Sequence, residues 1–219
     1  MFYEPAKNDH GLPHNPFPSL IVPRPIGWIT TLSKDGKVNL APFSLFNGVG
    51  YTPPTVVVCP NGKGAGGGQK DTVINIRDTG EFVANMATWE LREQVSKTAA
   101  TVPPDVNEME VAGLTPAPCR LVKPPRVAES PVALECNHIQ TVELPSYDPA
   151  FPLNAIFGEV VGVHIKDEVI TDGRVDIAKI RPIARLGYMD YTVVDTIFEM
   201  AIPALEALTA PDIRGRPGG

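Results

Sequence analysis

The sequence contains no Cys-x-x-Cys pair. Its three cysteines, Cys59, Cys119 and Cys136, are scattered and odd in number, which points to a reducing, cytoplasmic compartment rather than a disulfide framework. The opening Met1-Phe2-Tyr3-Glu4 carries no basic segment followed by an apolar run, so no secretory leader is expected. No apolar run approaches the roughly 18 residues that a membrane span requires. Basic residues are also short: 19 Lys and Arg stand against 25 Asp and Glu, and a net charge of -6 argues against nucleic acid or anionic lipid as a partner. Histidines number four. His10 and His14 flank Gly11 and Pro13, which forbid a regular helix, and no carboxylate cluster completes a ligand set, so no metal site is expected. His138 and His164 lie in strand patterns and read as structural. No Ser/His/Asp triad follows from spacing.

Proline and glycine are abundant, at 24 and 19 residues. They fall between apolar runs without any internal repeat, so they punctuate short strands. With 219 residues, one domain burying about 70% of its unfolded surface is the simplest organisation. Residues 1–23, rich in Pro, Asn and His, read as an extended arm. Residues 24–200 form the domain, and 201–219 the end of a C-terminal helix with a mobile tail from Ala210.

Ile26 to Ser33 is β-branched and aromatic, and Asp35-Gly36 supplies a turn that returns Val38 to Asn47 as a hairpin. Thr55 to Cys59 continues, so residues 26 to 59 are expected to make one antiparallel meander. Asp71 is expected to cap a short helix that stops at Gly80, followed by a strand from Glu81 to Met86. Thr88 and Glu90 open a second helix reaching about Ala99. Val132 to Leu144, Ala155 to Ile165 and Ala184 to Val194 are later strands, with Asp172-Gly173 as another hairpin turn. Asp195 to Thr209 is expected to be helical, interrupted at Pro203. Many strands, Gly/Pro turns and few helices argue for a mostly β fold with accessory helices, a closed or partly open barrel.

The chemistry centres on Gln69-Lys70-Asp71-Thr72, where the glycine-rich loop from Gly62 to Gly68 meets a helix start. Free N–H groups, the helix dipole, the Lys70 charge and the Thr72 hydroxyl together suit a phosphate. The plainer account of the same residues is a capped surface helix with a solvated lysine. A nucleotide P-loop is not matched, since Asp71 separates Lys70 from Thr72. Ser44 and Asn47 are polar positions in an otherwise apolar strand, and an amide matches the edge of an isoalloxazine ring. Of Thr30 and Thr31, alternation lets only one face a given side of the sheet. Arg185-Leu186-Gly187-Tyr188-Met189-Asp190-Tyr191 supplies a cation, a close-approach glycine and aromatic faces, suited to a flavin ring. Arg24 is a second cationic candidate. Taken singly, each of these reads as readily as surface charge, core aromatic or strand-end polarity.

In order, Arg24-Pro25-Ile26 to Thr30, the Asp35-Gly36 hairpin, Ala41-Pro42-Phe43-Ser44-Leu45-Phe46-Asn47, Lys70-Asp71-Thr72, Asn75 to Asn85, Pro125 to Pro131 and Arg185-Leu186-Gly187 resemble the flavin reductase-like proteins. The resemblance runs from about Phe2 to about Met200. It implies an FMN-binding split β-barrel of Greek-key topology, a homodimer, and FMN in a groove at or near the subunit interface. It places Lys70 and Thr72 on the FMN phosphate, and Ser44 with Thr30 or Thr31 on the phosphate or ribityl chain. Asn47 goes to the ring edge, Arg185 and Tyr191 near the ring, and Asp71 to a structural role. It further implies NAD(P)H as electron donor and a partner monooxygenase or other electron acceptor. The alternatives are an FMN-binding electron carrier without its own nicotinamide site, or a barrel that has lost the cofactor. Two departures stand out: the Gly62 to Gly68 loop is longer than usual, and no histidine follows His164.

Overall fold

Residues 1–203 are described by the structure, a computed structural model of the chain. In chain order the first elements are β1 (Arg24–Pro25), β2 (Gly27–Leu32), β3 (Val38–Phe43), β4 (Phe46–Tyr51) and β5 (Pro54–Val58). Then come α1 (Asp71–Thr79), β6 (Glu81–Met86), α2 (Arg92–Lys97), α3 (Glu108–Ala112), β7 (Pro116–Ala117) and β8 (Arg126–Val127). The long strands β9 (Val132–Leu144) and β10 (Leu153–Ile165) follow, then β11 (Ile170–Thr171), β12 (Arg174–Val175), α4 (Ile177–Ile180), β13 (Ile183–Arg185) and β14 (Tyr191–Val193). The mostly β architecture expected from the turn-punctuated sequence is present. Among the described residues no helix is long and apolar enough to cross a membrane.

Seven strands form the main sheet in the order β3-β2-β6-β9-β10-β5-β4, every pair antiparallel. This corrects the expected meander. The hairpins β2–β3 and β4–β5 lie at opposite ends of the sheet, with β6, β9 and β10 between them. The chain breaks at Ser44 and Leu45, so the apolar run through Asn47 is two strands rather than one. A small sheet, β1-β13-β14, sits beside β4. The expected strand Ala184 to Val194 is instead the hairpin β13–β14, closed by Asp190 N–H donating to Gly187 O at 2.8 Å.

Strand β2 is buried over Gly27 to Thr31, as a strand covered on both faces must be. Alternation sends Ile29 to the barrel interior with Phe43, Val58, Val73, Ile76, Phe82 and Ile156. Trp28 points the other way, against Leu91 and Val95 beside α2 and Met109 of α3. Helix α1 therefore plugs the barrel while α2 and α3 cover its outer wall. The second helix starts at Arg92, not near Thr88, because Thr88 is held in a bridge to Pro182. Asp172 and Gly173, both at positive φ, turn β11 into β12 as expected. From Asp195 to Pro203 the chain carries no helix, which corrects the C-terminal expectation over that span; its continuation to Thr209, and the tail from Ala210, lie outside the described residues.

On β10, a Cβ added at Gly158 would fall 2.4 Å from Cζ of Phe82 on β6, itself fully buried. Gly158→Ala is expected to lower stability by about 1–3 kcal/mol through overpacking. Urea denaturation measures this, and Phe82→Leu in the same chain should recover part of the loss.

Candidate functional site

Helix α1 begins where the glycine-rich loop ends. Lys70, with extended backbone, occupies the N-cap, and no side chain caps the helix. Asp71 was expected there; it is instead the first helical residue, where its carboxylate adds to the favourable charge of the first turn. Burial pushes the Asp71 carboxyl above its usual range, opposed by the Lys70 charge. The first N–H groups of any helix lack intrahelical partners, so this end presents donors.

A cavity of about 60 Å³ opens at this end, walled by Asn39, Lys70, Thr72, Ala99, Ala100 and Glu108. Asn39 Nδ2 donates to Thr72 Oγ1 at 3.0 Å, which leaves the threonine's own proton available to donate. Glu108 is buried and accepts Leu40 N–H at 3.0 Å. Burial raises its pKa, the Leu40 N–H opposes this, and the charge of Asp71 adds to it. Burial thus disfavours the charged form of both carboxyls that share this cavity with Lys70.

Ala99 and Ala100 also wall a second, larger cavity of about 750 Å³, formed by Trp89, Val95, Ile183, Arg185, Met189 and Tyr191. The Arg185 guanidinium lies 4.6 Å from the Tyr191 ring centroid and donates to Tyr191 Oη at 2.5 Å and to Tyr188 O. Trp89 is flanked by the guanidinium groups of Arg92 at 4.1 Å and Arg181 at 5.5 Å. Arg185 in turn borders a third cavity of about 540 Å³, which contains Arg24 and Ser44 with His14 and Tyr188. Arg24 and Arg185 are register partners on β1 and β13. Burial, and then the neighbouring Arg185 charge, hold Arg24 below its ordinary pKa. Its guanidinium donates to Ile21 O at 2.8 Å, Leu186 O at 3.1 Å and Pro18 O, tying the N-terminal arm to the barrel.

The structure thus gathers Lys70, Asp71 and Thr72 at one end and Arg24, Ser44, Arg185 and Tyr191 at the other. Thr30 and Thr31 line none of these cavities: both are fully buried, Thr30 Oγ1 accepting from Asn85 Nδ2 at 2.9 Å and Thr31 Oγ1 from Asn75 Nδ2 at 3.0 Å. Asn47 is exposed on β4, its Oδ1 taken by Gly48 N–H at 2.9 Å, and it lines none of these cavities.

Asn39, Glu108, Trp89 and the Ala99–Ala100 wall were not singled out from sequence. Asn39 carried the same signal as Ser44, a polar residue in an apolar strand. Asn107 before Glu108 and Gly113 after Ala112 marked α3, where Asn107 Oδ1 accepts Met109 N–H at 3.1 Å. The two alanines carried no signal.

An antiparallel barrel divided between its edge strands, plugged by a helix and bordered by wall-sharing cavities, is the split-barrel class of flavin reductase-like folds. The chain belongs to the flavin reductase like domain family, whose model matches residues 19–190. It is 43% identical over 169 residues to an uncharacterized protein of Aquifex aeolicus, covering 77% of this chain and 83% of that one. Among solved structures it is similar to nitrilotriacetate monooxygenase component B from Bacillus cereus, with TM-score 0.83, 28% identity, and 91% and 98% of the two chains covered. It is also similar to a 2-nitrobenzoate 2-nitroreductase from Pseudomonas fluorescens, with TM-score 0.74, 27% identity, and 86% and 89% covered.

Because the folded pKa of Glu108 is raised, its contribution to stability is fully present below the unfolded carboxylate range and is lost as pH rises through the folded value. Glu108→Gln, which keeps an acceptor for Leu40 N–H, is expected to gain on wild type as pH rises from acid to neutral. Urea midpoints across that range check this; a constant difference would remove the effect.

Proposed function

We propose that the chain binds FMN and works as an NAD(P)H-dependent flavin reductase. The observation that carries this reading is the succession of cavities: a small polar one at the start of α1, lined by Lys70 and Thr72, shares Ala99 and Ala100 with a large one walled by Trp89, Tyr191 and Arg185. A polar pocket for a phosphate thus adjoins a wide, largely apolar groove for a flat ring.

In this reading Lys70 and Thr72 hold the phosphate, one by charge and the other by the hydroxyl proton that Asn39 leaves free. Asp71 and Glu108 stay structural, one in the first turn of α1 and one on Leu40 N–H. Arg185 and Tyr191 flank the ring, with Arg24 and Ser44 beyond them. A fixed guanidinium beside the groove favours negative charge as it accumulates there, with no reorganisation needed. Thr30 and Thr31 act as positioning residues, locking β2 to Asn85 and to α1. When bound, FMN supplies hydride acceptance from the nicotinamide and onward electron transfer, so the protein has to bind, orient and shield rather than provide a strong acid or base.

The match to a monooxygenase component B supports a partner enzyme that consumes the reduced flavin. Exposed Ile197, Phe198, Met200 and Ile202 after β14 support an assembly with a second copy of the chain. Three free cysteines are consistent with the cytoplasm.

The test is to add FMN to the purified chain and follow NADH and NADPH oxidation. Oxidation that rises with added FMN is expected; flavin that stays bound while neither nicotinamide is consumed would identify an electron carrier instead. Lys70→Ala is expected to weaken FMN binding about 10- to 150-fold, the value of a charged hydrogen bond of roughly 1.5–3 kcal/mol. The apo melting temperature should change little. Fluorescence quenching of FMN reads the affinity, and equal affinity in the variant would retire the phosphate assignment.

A further inference from the structure

A separate cavity of about 450 Å³ lies between the β9–β10 pair and the chain segment from Arg120 to Pro131. It shares no lining residue with the three cavities above. Three cations face it: Arg120, Arg126 and Lys166. Lys166 Nζ donates to Glu129 O at 3.1 Å and stands 3.9 Å from Glu168. Neither arginine forms an ion pair among the described residues. Arg126 Nε is buried and has no acceptor. A buried donor without a partner is unfavourable, so it marks a place where an acceptor belongs.

The nearby carboxylates do not supply one. Glu135 is almost wholly buried, yet its oxygens are already taken. Oε1 meets Arg120 N–H at 2.9 Å and His164 Nε2 at 2.5 Å, while Oε2 accepts Leu121 N–H at 2.6 Å and Val122 N–H at 3.1 Å. Burial alone would raise its pKa, but these donors together lower it, so the group stays ionised and committed. The Glu129 carboxylate turns away to Thr115 N–H at 3.0 Å.

A cation is the competing guest, because Cys119, Glu135 and His164 bring one ligand atom each within 4.8 Å of one another. The surroundings oppose it. Glu135 has no oxygen to spare, and burial with the Glu135 charge pushes the Cys119 thiol to about 11, so it keeps its proton at neutral pH. Two guanidinium groups without ion pairs would repel a metal ion.

We propose that this cavity binds a small organic molecule bearing an oxyanion, a phosphate or carboxylate, gripped by Arg126 and Arg120. Lys166 adds charge at the rim, and Leu121, Val163 and Ile165 give apolar walls for the carbon skeleton. Guanidinium geometry matches two oxygens of such a group at once. This site is independent of the flavin reading.

Thermal unfolding of the full chain with inorganic phosphate, or with succinate, against sodium chloride of equal ionic strength tests it. Binding to the folded state raises the melting temperature by mass action. Wild type and Lys70→Ala should both show the rise, and Arg126→Ala and Arg120→Ala should need at least about tenfold more anion for the same rise. Phosphate or succinate acting alone names the ligand's anionic group. A rise lost in Lys70→Ala but kept in Arg126→Ala would assign the anion to α1 and overturn the proposal. So would no rise above the chloride control, or a zinc-induced rise abolished by Cys119→Ala. If Arg126→Ala does not fold, Arg120→Ala decides.

Discussion

Strand β2 carries two adjacent threonines and no water reaches either, so each hydroxyl has to be satisfied inside the protein. Asn85 does this on one face. Its Nδ2 donates to Thr30 Oγ1 and to Trp28 O, both at 2.9 Å, and its Oδ1 accepts Val127 N–H at 2.8 Å. Asn75 does it on the other, from within α1. These few bonds join β2, β6, β8 and α1 into one rigid frame, and removing a partner would strand a buried polar group at a cost of about 1–3 kcal/mol. The start of α1 is held where it is by that frame, and the small polar cavity depends on it.

Charge is distributed unevenly around the frame. At α1 a single lysine, Lys70, sits beside Asp71 and Glu108, two carboxyls whose ionisation burial disfavours. On the Arg24–Arg185 pair, two like charges face each other across a strand register, an arrangement that costs energy unless an anion or a backbone carbonyl shares it. Arg24 uses carbonyls of its own arm, and Arg185 uses Tyr188 O and the face of Tyr191. The arm is thereby part of the wall beside Ser44 rather than a loose extension.

Local signals were legible residue by residue. Strand β9 runs from Val132 to Leu144 as expected, and the turns at Asp35-Gly36 and Asp172-Gly173 lie where those dipeptides stand. The helix stop at Gly80, at positive φ, was equally plain. What failed depended on distant neighbours. Ser44 reads as strand interior until β3 and β4 are seen to leave for opposite ends of the sheet. Asp71 reads as a cap by residue type, but the extended backbone that defines a cap falls at Lys70. That Asn85 and Asn75 lie beside Thr30 and Thr31 was likewise not legible.

Alternation, turn chemistry and the ordered motifs are properties of residues within a few positions of one another, so the sequence alone determined the β-rich character, most strand spans and the family. Which strands pair, which polar side chains are consumed indoors and which cavities share a wall are set by contacts between residues as much as 162 positions apart, such as Arg24 with Leu186. Only the folded chain brings those groups within the few ångströms over which hydrogen bonds and packing act, and that short range is why the site's shape was decided by tertiary structure.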